Sequence, residues 1–129
     1  MNKNYIAVDF DGTLVTHDYP EVGQELPGAV ETCKALIANG HQLILWTMRS
    51  GKELQDAVQW CYLREITLIG VNKNPTQDSW TQSPKVYASI YIDDAALGAP
   101  LNYNPTFHTR QYVDWVRVRE QLVKMGALS

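Results

Sequence analysis

The chain has 129 residues, 45% of them hydrophobic, and a formal net charge of −3. That length suits one compact domain with its own core, and so mild an acidity gives no reason to expect a nucleic-acid or membrane partner. No apolar run nears membrane-spanning length, and the first residues lack the charged-then-apolar pattern of an export signal, so a cytoplasmic protein is expected.

Tyr5-Ile6-Ala7-Val8 is an apolar run that predicts a buried strand over 5–10. It leads into Asp9-Phe10-Asp11-Gly12-Thr13-Leu14. Two carboxylates at the end of a buried strand are costly unless they are paired or hold a cation. The glycine behind them lets the chain turn sharply and present backbone N–H groups to a ligand. Together these features point to phosphate chemistry with a divalent cation. Five such fixed positions arise by chance in about one window per million, so coincidence is a poor account. The competing reading is a plain Asp-Gly turn with both carboxylates solvated.

A polar stretch from Thr16 to Leu26 follows. A helix is predicted over 27–39, with Pro27 in its first turn and Gly40 just past its end. Val30, Cys33 and Ile37 share its apolar face. The second strand is predicted over 42–46 and the second helix over 52–63, where Leu54, Ala57, Val58 and Cys61 form a helical stripe. A third strand over 67–71 precedes a loop from Asn72 to Pro84, rich in Asn, Pro, Gln and Ser, that carries Trp80. The fourth strand, over 86–92, ends in Asp93-Asp94. A short edge strand is expected within 103–108, and a last helix over 111–124 with Tyr112, Trp115, Val116, Leu122 and Val123 on its face. Cys33 and Cys61, both on apolar helix faces, read as reduced core thiols and not as a disulfide.

Strands alternating with helices predict an α/β domain spanning 1–129: a doubly wound parallel sheet in three layers. Ligands bind such sheets beyond the carboxyl ends of the strands, where strand order reverses. Asp9, Asp11, Thr47, Asp93 and Asp94 all fall at those ends, while Lys85 lies in the loop before the fourth strand.

The set Asp-x-Asp, Thr, Lys, Asp-Asp, in that order, resembles the haloacid dehalogenase superfamily of phosphohydrolases. The likeness runs over essentially the whole chain and is greatest to small bacterial members with no cap domain. It implies a Rossmann-like fold and Mg²⁺-dependent phosphomonoester hydrolysis through an aspartyl-phosphate. In that scheme Asp9 is the nucleophile. Asp11 is the general acid/base, with its backbone carbonyl on the metal. The Thr47 hydroxyl and the Met48 N–H hold phosphate oxygens, and Gly12 joins them in binding the phosphate. The Lys85 ammonium sits beside Asp9 and offsets phosphate charge, with Lys73 as its competitor. Asp93 is the direct Mg²⁺ ligand and Asp94 stands behind it or binds through water. This Asp-Asp pair replaces the Gly-Asp-x-x-x-Asp of many members. Asp11 favours phosphate chemistry over carbon–halogen cleavage, because the dehalogenases lack that second carboxylate.

Arg49 reads either as a further phosphate contact or as a solvated residue capping the second strand. His17 lies near enough to the first motif to line the site, His41 reads as surface, and with His108 the three show no metal-ligand spacing. Too few residues separate Leu14 from the first helix for a cap domain, so the loop bearing Trp80 is the candidate cover for the mouth, or a subunit contact in a homo-oligomer. Sugar phosphates, nucleotides and phosphorylated macromolecules all remain candidate substrates. Three other functions fit less well. A phosphotransferase shares the same intermediate. Receiver domains place the acidic pair first and the phosphoacceptor later. A non-catalytic binding protein has no need of this full set.

Overall fold

The computed structural model describes residues 3–129. Its centre is one parallel sheet of four strands, β1 (Tyr5–Val8), β2 (Gln42–Leu45), β3 (Leu68–Val71) and β4 (Ile90–Ile92), in the order β3-β2-β1-β4. Helix α1 (Ala29–Ala38) joins β1 to β2, and α2 (Gly51–Leu63) joins β2 to β3. The chain then returns past β1 to β4, so strand order reverses between β1 and β4. That reversal opens a crevice at their carboxyl ends. An antiparallel ribbon, β5 (Leu101–Asn102) with β6 (Tyr112–Val113), and helix α3 (Trp115–Lys124) complete a small Rossmann-like α/β fold.

Side chains alternate between the two faces of each strand. Ile6 and Val8, with their register partners Leu43, Leu45 and Ile92, meet the buried residues of all three helices in a single core: Cys33 and Leu36, Ala57 and Trp60, Trp115 and Leu122. Ala7 and Ile44 point the other way and are just as buried. Their cover is no α-helix but a strap, residues 72–89, irregular save for one 3₁₀ turn at Pro75–Gln77, with Val86 buried and the Tyr91 hydroxyl donating to the Val86 carbonyl at 2.6 Å. A strap so placed must satisfy its own backbone, and two buried amides do this. Asn74 donates to the Tyr87 carbonyl (3.0 Å) and accepts from the Thr76 N–H (3.0 Å). Gln77 accepts from the Tyr87 N–H (2.8 Å) and donates to the Lys85 carbonyl (3.0 Å). The predicted fourth strand is therefore cut short, because its first half belongs to the strap.

Other boundaries move for local reasons. Gly28 has φ +82 and caps α1, so the helix starts after it and not at Pro27. Helix α3 starts at Trp115 behind Asp114, whose carboxylate accepts from the Arg117 N–H at 3.2 Å. Tyr112 and Val113, assigned by periodicity to that helix, pair instead with Leu101 and Asn102. The short edge strand thus lies before, not within, 103–108. The buried face of α3 is Trp115, Val118 and Leu122, while Val116 and Val123 are exposed. His41 is not surface: its Nδ1 accepts from the Asn4 N–H (3.2 Å), so Nε2 carries the proton and donates to the Ala127 carbonyl (3.0 Å). Cys33 and Cys61 are free and buried, and burial pushes both thiols up, Cys61 to about 12. Among the described residues no helix is long and apolar enough to cross a membrane.

Candidate active site

Beyond β1 the chain folds back on itself. The N–H groups of Thr13, Leu14 and Val15 all donate to the Phe10 carbonyl, at 3.1, 2.8 and 3.2 Å. Gly12 has φ +80, and a Cβ there would stand 2.0 Å from His17 Nε2 and 2.5 Å from Asp94 Oδ2, so only glycine fits. Its own N–H donates to the Val15 carbonyl at 2.7 Å, which leaves Gly12 a space-maker and not the phosphate donor the motif suggests. The loop is clamped from behind. The Val113 N–H donates to the Gly12 carbonyl (2.9 Å), and the buried Trp115 indole donates to the Thr13 carbonyl (2.6 Å).

In front of this loop, Asp9, Asp93 and Asp94 each offer one oxygen, all within 4.8 Å of one another. Thr13 ties two of them together: its hydroxyl donates to Asp9 Oδ2 (2.9 Å) and accepts from the Asp94 N–H (3.1 Å). His17 Nε2 lies 2.7 Å from Asp94 Oδ2. Burial, then the hydrogen bond with Asp94 and the charge of Asp93, push Asp9 up to about 8. Burial also works against charge on Asp94, but its hydrogen bonds with Asp9 and His17 outweigh that and hold it below the usual carboxylate range. Asp9 thus carries the proton that lets three carboxyl groups share one small space. Hard oxygen donors at this spacing fit Mg²⁺. Asp93 and Asp94 both offer an oxygen to the cluster.

The proton on Asp9 has a measurable consequence. The folded chain holds it from the ordinary value of 3.8 up to about 8, so this group's contribution to stability is fullest below pH 4 and is lost as pH rises toward 8. A cation that takes the proton's place reverses the trend. The gain in Tm on adding Mg²⁺ is expected to be larger at pH 8 than at pH 6. Equal gains in melts at the two pH values would contradict a cation site built on Asp9.

Asp11 points away from the cluster. Its two oxygens accept from Arg49 Nε and Nη2, both at 2.8 Å. Arg49 is buried, and its remaining N–H groups donate to the carbonyls of Pro20, Glu53 and Glu21 at 3.2, 3.2 and 2.7 Å. All five guanidinium donors are therefore used. The guanidinium carbon also lies 5.0 Å from the Phe10 ring centre and 5.2 Å from that of Tyr19. Arg49 is thus neither solvated nor free to hold phosphate, and only the backbone carbonyl of Asp11 is left to serve a metal.

Thr47 follows β2, half-buried, with its N–H donating to Asn72 Oδ1 (2.7 Å) and its hydroxyl accepting from the Arg49 N–H (3.1 Å). The Met48 side chain is fully exposed. Lys85, in the strap before β4, makes no ion pair with Asp9. Its ammonium lies 6.0 Å from the Tyr91 ring centre in an exposed position, and among the described residues no lysine pairs with Asp9. Lys73 is no substitute, since it pairs with Asp78 at 3.0 Å. Sequence reasoning assigned no role to Thr13 or Asn72. Thr13 stands inside the motif itself, and Asn72, in the left-handed region at φ 55 directly after β3, carries the turn preference of asparagine.

Trp80 does not cover the mouth. Its ring packs edge-on against Tyr87 at 5.5 Å, and Tyr87 against Tyr5 at 5.7 Å, at the amino end of β1 and the far end of the strand from Asp9. Trp80→Ala is accordingly expected to leave KM for a phosphate ester unchanged. A raised KM in steady-state assays would put the strap at the site after all.

No protein-family model and no curated protein matches the chain. A solved structure of a conserved protein from Bacteroides thetaiotaomicron is similar to it, with a TM-score of 0.78 and 38% sequence identity over 97% of this chain and 93% of that one.

Proposed function

We propose that this chain, which belongs to the same family as the conserved Bacteroides thetaiotaomicron protein, is a Mg²⁺-dependent phosphomonoester hydrolase that works through an aspartyl-phosphate on Asp9. The observation that carries this reading is the three-carboxylate cluster of Asp9, Asp93 and Asp94 at the strand reversal, next to the end of β2 where Thr47 stands.

Asp9, Asp93, Asp94 and the Asp11 carbonyl would hold the cation. When bound, it supplies positive charge that offsets the repulsion between a carboxylate and a phosphate dianion. The Thr47 hydroxyl and the Met48 N–H, at the same end of the sheet, orient the phosphate oxygens. An Asp9 oxygen attacks phosphorus, and the ester oxygen leaves with the bonding electrons and takes a proton from Asp11. Water then attacks the phosphorus of the aspartyl-phosphate and gives its proton to the Asp11 carboxylate, which restores Asp9. In the resting structure both Asp11 oxygens accept from Arg49, so this role requires Asp11 to turn from that pair toward the phosphate.

Release of inorganic phosphate from a panel of sugar phosphates, nucleotides and phosphorylated proteins, with Mg²⁺ and again with excess chelator, tests the reading. Turnover that needs the cation is expected. Release from no compound in the panel would overturn it.

A further inference from the structure

We propose that His17 is a positioning residue for the cation site, holding one oxygen of Asp94 so that the other faces Asp9 and Asp93. The inference rests on the cation reading above and adds a residue to it. Its basis is geometric. His17 Nε2 lies 2.7 Å from Asp94 Oδ2, and the two side chains are only 17% and 19% exposed. The ring reaches that place because residue 12 has no Cβ, as a Cβ would stand 2.0 Å from Nε2. On the opposite side of the carboxylate, Oδ1 faces the Thr13 hydroxyl at 3.4 Å, and that hydroxyl donates to Asp9. Asp94 is thus held at Oδ2 by His17 and at its backbone N–H by the Thr13 hydroxyl (3.1 Å), and the same loop that follows the nucleophile supplies both contacts.

The backbone on either side of His17 is also tied down. Thr16 is buried, exchanges hydrogen bonds with Gln24 through its N–H and its hydroxyl (both 2.9 Å), and donates from that hydroxyl to Asp18 at 2.5 Å. Asp18 in turn meets His108 Nε2 at 3.3 Å. The ring therefore does not hang from a free loop. In this chain the connection between β1 and α1, too short to build a cap, supplies a partner for a metal carboxylate instead. Partners of this kind fix ligand orientation, and losing one typically weakens metal binding by about 10- to 100-fold.

Calorimetric titration of the cation-free protein with Mn²⁺, which takes the same oxygen ligands, tests this without any turnover. His17→Ala is expected to raise Kd by about 10- to 100-fold. His17→Gln, whose amide nitrogen reaches the place of Nε2, is expected to keep most of the affinity. Melting curves without cation show that both variants fold. Unchanged Mn²⁺ affinity in His17→Ala overturns the role of His17 alone, and so does an equal loss in both variants, which marks a packing role. A wild-type protein that takes no Mn²⁺ overturns the cation site and this inference together.

Discussion

Asp9→Asn is expected to lower kcat for any phosphate ester by at least about 10⁴-fold, the scale on which removing a covalent nucleophile acts. An amide oxygen is a far poorer nucleophile than a carboxylate, and no other carboxylate takes the same place: Asp11 is engaged by Arg49, and Asp94 by His17. The same change is expected to raise the Tm of the cation-free protein above neutral pH. Asp9 is buried beside Asp93 and Asp94, and its ionised form is disfavoured up to about pH 8. A neutral amide keeps the hydrogen bond with Thr13 and removes that conflict. Activity lost with stability gained separates a catalytic carboxylate from a structural one. A variant that keeps wild-type turnover, or melts well below the wild type at pH 8, contradicts this account of Asp9.

Asp11→Asn is expected to act in the opposite direction on the fold. Removing a positioned acid/base lowers kcat by about 10²- to 10⁴-fold. Here it also leaves Arg49 without its counter-ion. Breaking one side of a buried pair typically costs about 3–5 kcal/mol, and Asn, which keeps one acceptor oxygen, belongs at the low end of that range. Arg49 is buried and bound to the carbonyls of Pro20 and Glu21 in one segment and of Glu53 in another, so it cannot swing into water to recover solvation. Denaturant unfolding of wild type and variant reads the loss. A variant as stable as the wild type would show that the Asp11–Arg49 pair is no part of the resting structure.

The contrast between these two carboxylates is the part of the site the sequence conceals. Asp9 and Asp11 are two residues apart and look equivalent in the motif, yet one joins an acidic cluster and the other an arginine. The cluster was legible, because the carboxyl ends of neighbouring parallel strands lie side by side and Asp9, Asp93 and Asp94 all sit at such ends. Arg49 was not. A charged residue after a strand reads as solvated, and its burial depends on carbonyls of Pro20, Glu21 and Glu53, whose meeting is a tertiary event.

The fold divides in the same way. Strand β2 and helix α2 lie within a residue of their predicted spans, because continuous apolar runs and a helical stripe are local signals. The strap over the second face of the sheet has no period to read, since its order comes from the side-chain amides of Asn74 and Gln77 reaching across to Lys85 and Tyr87. Lys85 was misplaced for that reason: its spacing before Asp93 suits a site residue, but the strap carries it out to Tyr91. The start of α3 was open to a closer reading, as Asp114 is a strong N-cap residue, but the apolar Tyr112 and Val113 fit the helical period and masked it.

The central claim is the covalent intermediate on Asp9. Acid quenching during turnover of a ³²P-labelled phosphate ester with Mg²⁺, followed by hydroxylamine treatment and peptide mapping, tests it most directly. Hydroxylamine-labile label on the peptide that carries Asp9, absent from Asp9→Asn, is the predicted result. Rapid phosphate release with no protein-bound label at any quench time, or label on another residue, would contradict it.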